Sequence, residues 1–261
     1  GEVSLTGSGY VGEADVSSNA YKETLDATYV SNGWAGSQGA NNVNSDNGDV
    51  DGYDLGDAIT FPDMVTTYSA YLEANSLVLS AAADLTEMAD IKYGSNFTFT
   101  DVSNGYGSID MDGAGNLSIS GKVYVKGGDV IFKVDGGNET INYTGTGVIY
   151  STNDVILKAN LLTDGNSSFP SNIIGFMAGN DVQFDRTPTS TTEVMGLFYA
   201  VNRIHFDKSV YVAGTVVGDF IEGESNGSVV YQVPDTVSNL PEGLIGDAAT
   251  CFVKVISWRK I

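Results

Sequence analysis

A degenerate twelve-residue phrase returns four times in this chain. It reads KVYVKGGDVIFK (122–133), GVIYSTNDVILK (147–158), IGFMAGNDVQFD (174–185) and GLFYAVNRIHFD (196–207), at offsets of 25, 27 and 22 residues. A unit of that length holds two short strands and a turn. It can bury its inner face only against its neighbours in a stack. The predicted fold class is therefore mainly β: a right-handed parallel β-helix, or β-solenoid, with one short helix as an insertion or cap. Such a scaffold points to a structural or adhesive protein before it points to an enzyme.

The phrases agree column by column. Val130, Val155, Val182 and Ile204 are all β-branched, and Phe132, Leu157, Phe184 and Phe206 are all large and apolar. Strand side chains alternate in direction, so these two columns share one face, assigned to the core. Ile131, Ile156, Gln183 and His205, with Lys133, Lys158, Asp185 and Asp207, are assigned to the outside. In the preceding strand Tyr124, Ile149, Phe176 and Phe198 form a further apolar column, followed two places later by Lys126, Ser151, Ala178 and Ala200. Gly128, Asn153, Asn180 and Asn202 lie between the strands, where Gly and Asn tolerate a corner. Stacked Asn side chains can hydrogen-bond from one repeat to the next.

The surrounding sequence divides into two regions. Residues 1–114 read as an irregular β-rich N-terminal region with an acidic loop and a helix at about 63–77. Residues 115–261 read as the solenoid with a C-terminal strand. Asp63 after Pro62 has the character of a helix N-cap, and Met64, Tyr68, Tyr71 and Leu72 follow at helical spacing. This helix is expected to cover an exposed edge of the stack. Short β-like pieces such as VSLTG near the start are read as first, irregular repeats or an arm. The stretch FTFTDVSNGYGSIDMDGAGNLSISG reads as strands joined by tight turns.

Charge narrows the class of partner. The chain has 33 acidic and 12 basic residues and a formal net charge of −21. No basic stripe is present, which argues against nucleic acid and against an anionic membrane surface. No apolar run reaches the roughly 18 residues of a membrane span. Cys251 is the single cysteine, so no internal disulfide forms. It reads as a small buried hydrophobe.

The C-terminal part carries a resemblance. Tyr231-Gln-Val-Pro234, then Leu240-Pro-Glu-Gly-Leu-Ile-Gly246, then Val255-Ile-Ser-Trp-Arg259 resembles the C-terminal signature of bacterial type IV pilus-assembly proteins of the PilX type. The preceding MGLFYAVNRIHFDKSVYVAGTVVGDFIE is similar to the solenoid of those proteins. The resemblance runs over roughly 115–261. It implies an extracellular or cell-surface protein of a bacterium that associates with a pilus or filament, with no catalytic residues to carry over. Pilin-like proteins open with a long apolar helix, and GEVSLTGSGYVG is not one.

Several constellations invite chemistry. Asn47, Asp49 and Asp51 precede Gly52 as in the first half of a calcium loop, and Asp54 and Asp57 can add ligands. Ala58 stands where a bidentate Glu is expected, so a solvated acidic turn is the competing reading. Ser108-x-Asp110-x-Asp112-Gly113 has a similar pattern, but Asp-Gly between strands reads first as a hairpin turn. Asp181, Asp185, Arg203, His205 and Asp207 fall on adjacent repeats. Acid pairs beside an Arg suggest a carbohydrate-active enzyme, against the plainer reading of a solvated ladder. Outward Ile131 and Ile156, with Tyr150 and Tyr199, form an apolar patch that the helix or the C-terminal strand covers, or that a partner uses.

The expected function is non-catalytic: a pilus- or filament-associated structural or adhesive protein that binds other subunits or a receptor. The interaction residues are placed at the terminal strand, Phe252, Val253, Val255 and Trp258, and the only cofactor considered is calcium. The alternatives are a carbohydrate-active enzyme and a carbohydrate-binding module using Trp34, Tyr150 and Tyr199.

Overall fold

Val130, Val155, Val182 and Ile204 stand opposite one another on neighbouring parallel strands, and each is fully buried. Phe132, Leu157, Phe184 and Phe206 stand opposite one another two positions later, and all four are buried. The two columns predicted for the core are thus in register across all four phrases. The structure, a computed structural model, describes residues 2–6, 63, 65–80, 90–135, 137, 139–163, 168–185, 192–207, 210–224, 228–233, 236 and 239–241. Residues 2–6, 224 and 232 are described by backbone alone.

Among the described residues the chain is mainly β, with one helix. The order is β1 (Glu2–Thr6), α1 (Ser69–Asn75), β2 (Leu77–Ser80), β3 (Asp90–Lys92), β4 (Phe97–Thr100), β5 (Gly107–Met111) and β6 (Asn116–Lys126). There follow β7 (Val130–Lys133), β8 (Thr140–Ser151), β9 (Val155–Lys158), β10 (Asn160–Thr163) and β11 (Ile173–Ala178). The last are β12 (Val182–Phe184), β13 (Thr192–Phe206), β14 (Val210–Glu224) and β15 (Val229–Gln232).

Two parallel ladders carry the repeat. The first strands of the phrases pair in the order β2, β6, β8, β11, β13, β14. The second strands pair in the order β3, β7, β9, β12, β13, β14. A third set joins β8, β10, β13, β14 and β15. Among the described residues the antiparallel pairs are β4–β5 and β5–β6, as the tight-turn reading of that stretch anticipates.

The ladders run past the four phrases in both directions. β2 and β3 add a rung before the first phrase, and β14 adds one after the last. β14 was legible only as the continuation VYVAGTVVGDFIE. The N-terminal strand β1 lies on the far side of β14, parallel to it, with Glu2 opposite Phe220 and Thr6 opposite Glu224. The strand character of VSLTG is as predicted. Its place is not among the first repeats but on the last rung.

One column is corrected. Val123, not Tyr124, stands opposite Ile149, and Val125, not Lys126, stands opposite Ser151. The first phrase has one more residue in its corner than the second. Gly127, at φ 80°, turns through the conformation that this longer corner requires. Val123, Ile149, Phe176 and Phe198 then form the true inner column. The displaced Tyr124 joins Tyr150, Met177 and Tyr199 on the other face.

Aromatic packing fills the interior. The rings of Phe176 and Phe198 stack at 5.1 Å, and those of Phe184 and Phe206 at 4.8 Å. Phe132 meets Phe176 edge-on at 5.5 Å, and Phe184 meets Phe198 edge-on at 4.8 Å. Burying each ring contributes about 1.5–3 kcal/mol from area alone, and each favourable ring pair about 0.5–1.5 kcal/mol more. Where ladders bend, glycine is obligatory. Gly145 has φ 94°, and a Cβ there would lie 2.1 Å from the Ile119 carbonyl oxygen.

The helix is shorter than predicted. Asp63 does cap a turn: its Oδ1 accepts the N–H groups of Val65 at 3.1 Å and Thr66 at 2.7 Å. The α-helix itself begins at Ser69 and ends at Asn75. Ser76 is extended (φ −136°, ψ 162°), and Leu77 pairs with Val123. The alternating Leu77-Val78-Leu79 finds an open strand edge on β6, and that pairing outweighs the residual helical periodicity.

Candidate interaction surface

The corners between the two strands of each phrase form a polar staircase. Asn153 Nδ2 donates to Asp129 Oδ1 at 2.9 Å, Asn180 Nδ2 to Asp154 Oδ1 at 2.7 Å, and Asn202 Nδ2 to Asp181 Oδ1 at 2.8 Å. The next backbone N–H in each case donates to the same oxygen: Asp154, Asp181 and Arg203, at 3.1–3.3 Å. The expected Asn-to-Asn ladder is therefore an Asn-to-Asp ladder. A carboxylate only accepts, so it satisfies two donors of the following corner at once, which a second amide cannot do as strongly.

The staircase ends in an ion cluster. In the fourth phrase Arg203 replaces the Asp. Its Nε and Nη2 donate to Asp181 Oδ2 at 3.0 and 2.7 Å, and its Nη1 to Glu222 Oε2 at 2.8 Å. His205 Nδ1 lies 3.1 Å from the same Glu222 oxygen. Hydrogen bonds to Asp181, then proximity to Asp181 and Glu222, hold the Arg203 guanidinium even more firmly protonated than usual. Asp181 is buried, and both its oxygens accept bonds from Arg203 or Asn202. Asp185 instead pairs with Lys158 at 3.1 Å.

Glu222 was missed as a partner in the sequence, because it sits on the rung of β14, where the phrase pattern fades. The signal is that Phe220-Ile221-Glu222 stands opposite Arg203-Ile204-His205. A register shift between Ala200 and Arg203 obscures it in a simple alignment.

The outer face of the first ladder is apolar and covered. Tyr124, Val148, Tyr150, Met177 and Tyr199 pack with Val65 and Leu72, flanked by Tyr68, Tyr71, Leu197, Val217 and Leu240. Lys122 Nζ lies 5.3 Å from the Tyr71 ring centre, and Lys126 pairs with Glu73. These contacts pin α1 to the sheet face, so the helix covers the outer face of the first ladder and not an exposed edge of the stack as expected. Tyr150 and Tyr199 are buried, so a carbohydrate module that uses them as exposed platforms is overturned. Burial, with help from the Asp63 carboxylate, pushes the Tyr199 phenol up to about 12. Ile131 and Ile156 do not join this patch. They stay half-buried in the column with Gln183 and His205.

The Asp112 motif is a hairpin corner, as its first reading has it. Asn116 donates from its side chain to Asp112 Oδ2 at 2.8 Å and from its backbone to Oδ1 at 2.9 Å, and Ala114 N–H donates to Oδ1 at 2.9 Å. The Asn116 side chain, then the backbone donors, lower the Asp112 pKa despite slight desolvation. Asn47, Asp49, Asp51, Asp54 and Asp57 lie outside the described residues, as do Trp34, Cys251, Phe252, Val253, Val255 and Trp258.

Among the described residues, one end of the stack presents exposed apolar side chains. Tyr231 is 58% exposed and Val230 40% exposed on β15, whose described partner is β14 alone, and Tyr211 is 38% exposed beside them. No family model matches the chain, and no curated protein does. Its fold is similar to that of a pilin. The crystal structure of the competence-associated pilin ComZ from Thermus thermophilus superposes with a TM-score of 0.52 at 17% identity. The match covers 73% of this chain and 46% of that one, so this chain spans less than half of the pilin's length. Among the described residues, no helix is long and apolar enough to cross a membrane.

Proposed function

We propose that this chain is a non-catalytic surface protein of a bacterium, associated with a type IV pilus or a related filament and acting through subunit contacts. The observation that carries the reading is the likeness of its fold to a competence-associated pilin. The PilX-type resemblance over roughly residues 115–261 points the same way. The architecture under this reading is a right-handed parallel β-solenoid over 115–261, to which β1, β2 and β3 of the 1–114 region add parallel strands. Successive parallel rungs with a shared aromatic core support it.

The chemistry of the corners agrees with a structural role. Asp181, the most buried acid of the candidate enzyme cluster, is engaged by Arg203 and Asn202. A general acid needs a proton to give and a free path to the substrate. Adhesion to a receptor, and a calcium ion at Asn47, Asp49, Asp51, Asp54 and Asp57, are further parts of the proposal.

Immunogold electron microscopy of native cells tests it. We expect label along filaments or at their tips. Label confined to free protein in the medium overturns the reading.

A further inference from the structure

The strand β1 is a detached half of the repeated phrase. Its sequence Glu2-Val-Ser-Leu-Thr6 has the pattern of Asp154-Val-Ile-Leu-Lys158 and Asp181-Val-Gln-Phe-Asp185: an acid, a β-branched residue, then a large apolar residue two places on. Its register agrees. Val3 stands opposite Ile221, which stands opposite Ile204, and Leu5 stands opposite Gly223, which stands opposite Phe206. The two core columns therefore continue onto β1. In the Phe column the last rung supplies only a glycine, Gly223, and Leu5 occupies the next register position.

The chain reaches this place by an unusual route. β1 lies at the end of the second ladder opposite to β3. Along the ladder it is six strand spacings from β3, or about 29 Å at about 4.8 Å per strand. Residues 7–62 separate it from Asp63, whose turn lies on the outer face of the first ladder near Tyr199. A segment of that length can reach at most about 185 Å when fully extended. The tether is therefore several times longer than closure within one molecule needs.

We propose that Glu2–Thr6 is an exchangeable strand, which pairs with Phe220–Glu224 of a second copy of this chain. The pairing is the same in either copy, so exchange costs only the entropy of association. Donor and acceptor are different surfaces, so exchange in one direction links copies head to tail and leaves one free donor and one free acceptor. In dilute solution the strand's own tether keeps its local concentration high and favours the closed monomer. Where copies are held side by side, exchange competes. This deepens the proposed function, since it names a partner and a contact for subunit association, and it rests on that reading for its setting.

Cysteine cross-linking tests the exchange. Thr6 and Glu224 are register partners, so Thr6→Cys and Glu224→Cys are made in a Cys251→Ser background. Chains carrying one substitution each are mixed at high concentration and oxidised. We expect a cross-linked heterodimer well above the dimer formed by either chain alone. The double variant should give closed monomer when dilute and a series of cross-linked oligomers when concentrated. Linkage only within one chain, with no heterodimer above background at any concentration, overturns the proposal. So does failure to cross-link under every condition. A chain that links only within itself yet labels filaments by immunogold loses strand exchange and keeps the pilus reading. Exchange in a chain that never labels filaments does the reverse.

Discussion

Asn202 donates from Nδ2 to the Asp181 carboxylate at 2.8 Å, one repeat earlier in the chain. The same carboxylate accepts from the backbone and guanidinium of Arg203. One buried acid thus fastens two successive corners, and its removal leaves several donors unmet. Asp181→Ala should cost about 1–3 kcal/mol of stability. Asp185→Ala breaks only the more exposed pair with Lys158 and should cost at most about 1 kcal/mol. Urea denaturation of both variants checks the contrast. Equal losses contradict the assigned roles.

The aromatic interior gives a larger effect. Phe184 is fully buried and touches both Phe198 and Phe206. Phe184→Ala should lose about 3–5 kcal/mol, and Phe184→Leu clearly less. The denaturation midpoints should fall in that order.

Gly145 is a position where only glycine fits. Its φ of 94° disfavours any L side chain, and a Cβ meets backbone at 2.1 Å. Gly145→Ala should cost more than the roughly 1–2 kcal/mol of the left-handed conformation alone. An unchanged thermal midpoint in this variant would contradict the local geometry.

Alkaline pH should loosen the tyrosine face. Burial, then Asp63, raises the Tyr199 phenol from 10.0 in the unfolded chain to about 12. Between those values the unfolded state has released a proton that the folded state keeps, so folding weakens as pH rises. The contribution is full below pH 10 and lost progressively towards pH 12. Tyr143 and Tyr150, also raised by burial, act in the same direction. In Tyr199→Phe the decline of stability from pH 9 to pH 11 should be shallower than in the parent. Parallel curves refute the assignment.

For the proposed calcium loop, isothermal calorimetry should detect binding in the parent and lose it in both Asp49→Ala and Asp51→Ala. Binding that survives both changes places the ion elsewhere.

The sequence by itself determined the repeat and its core. Val130, Val155, Val182 and Ile204 could be aligned because a strand's period of two and a common corner leave one consistent register. The Phe column, the outward charges and the hairpin at Asp112 followed from the same local rules. A one-residue change in corner length was enough to misplace Tyr124, since a slip of one exchanges the two faces of a strand. Only the tertiary structure decided that Asn pairs with Asp, that Arg203 closes the staircase on Glu222, and that α1 covers Tyr150 and Tyr199. Those contacts join residues 19 to about 130 positions apart, where no local pattern operates. It also decided that Leu77–Ser80 is strand, because the open edge of β6 supplied hydrogen bonds that the segment's own helical spacing could not match. The N-terminal strand makes the point most plainly. Its residues carry the phrase pattern, but its place on the last rung depends on a free edge more than 200 residues away.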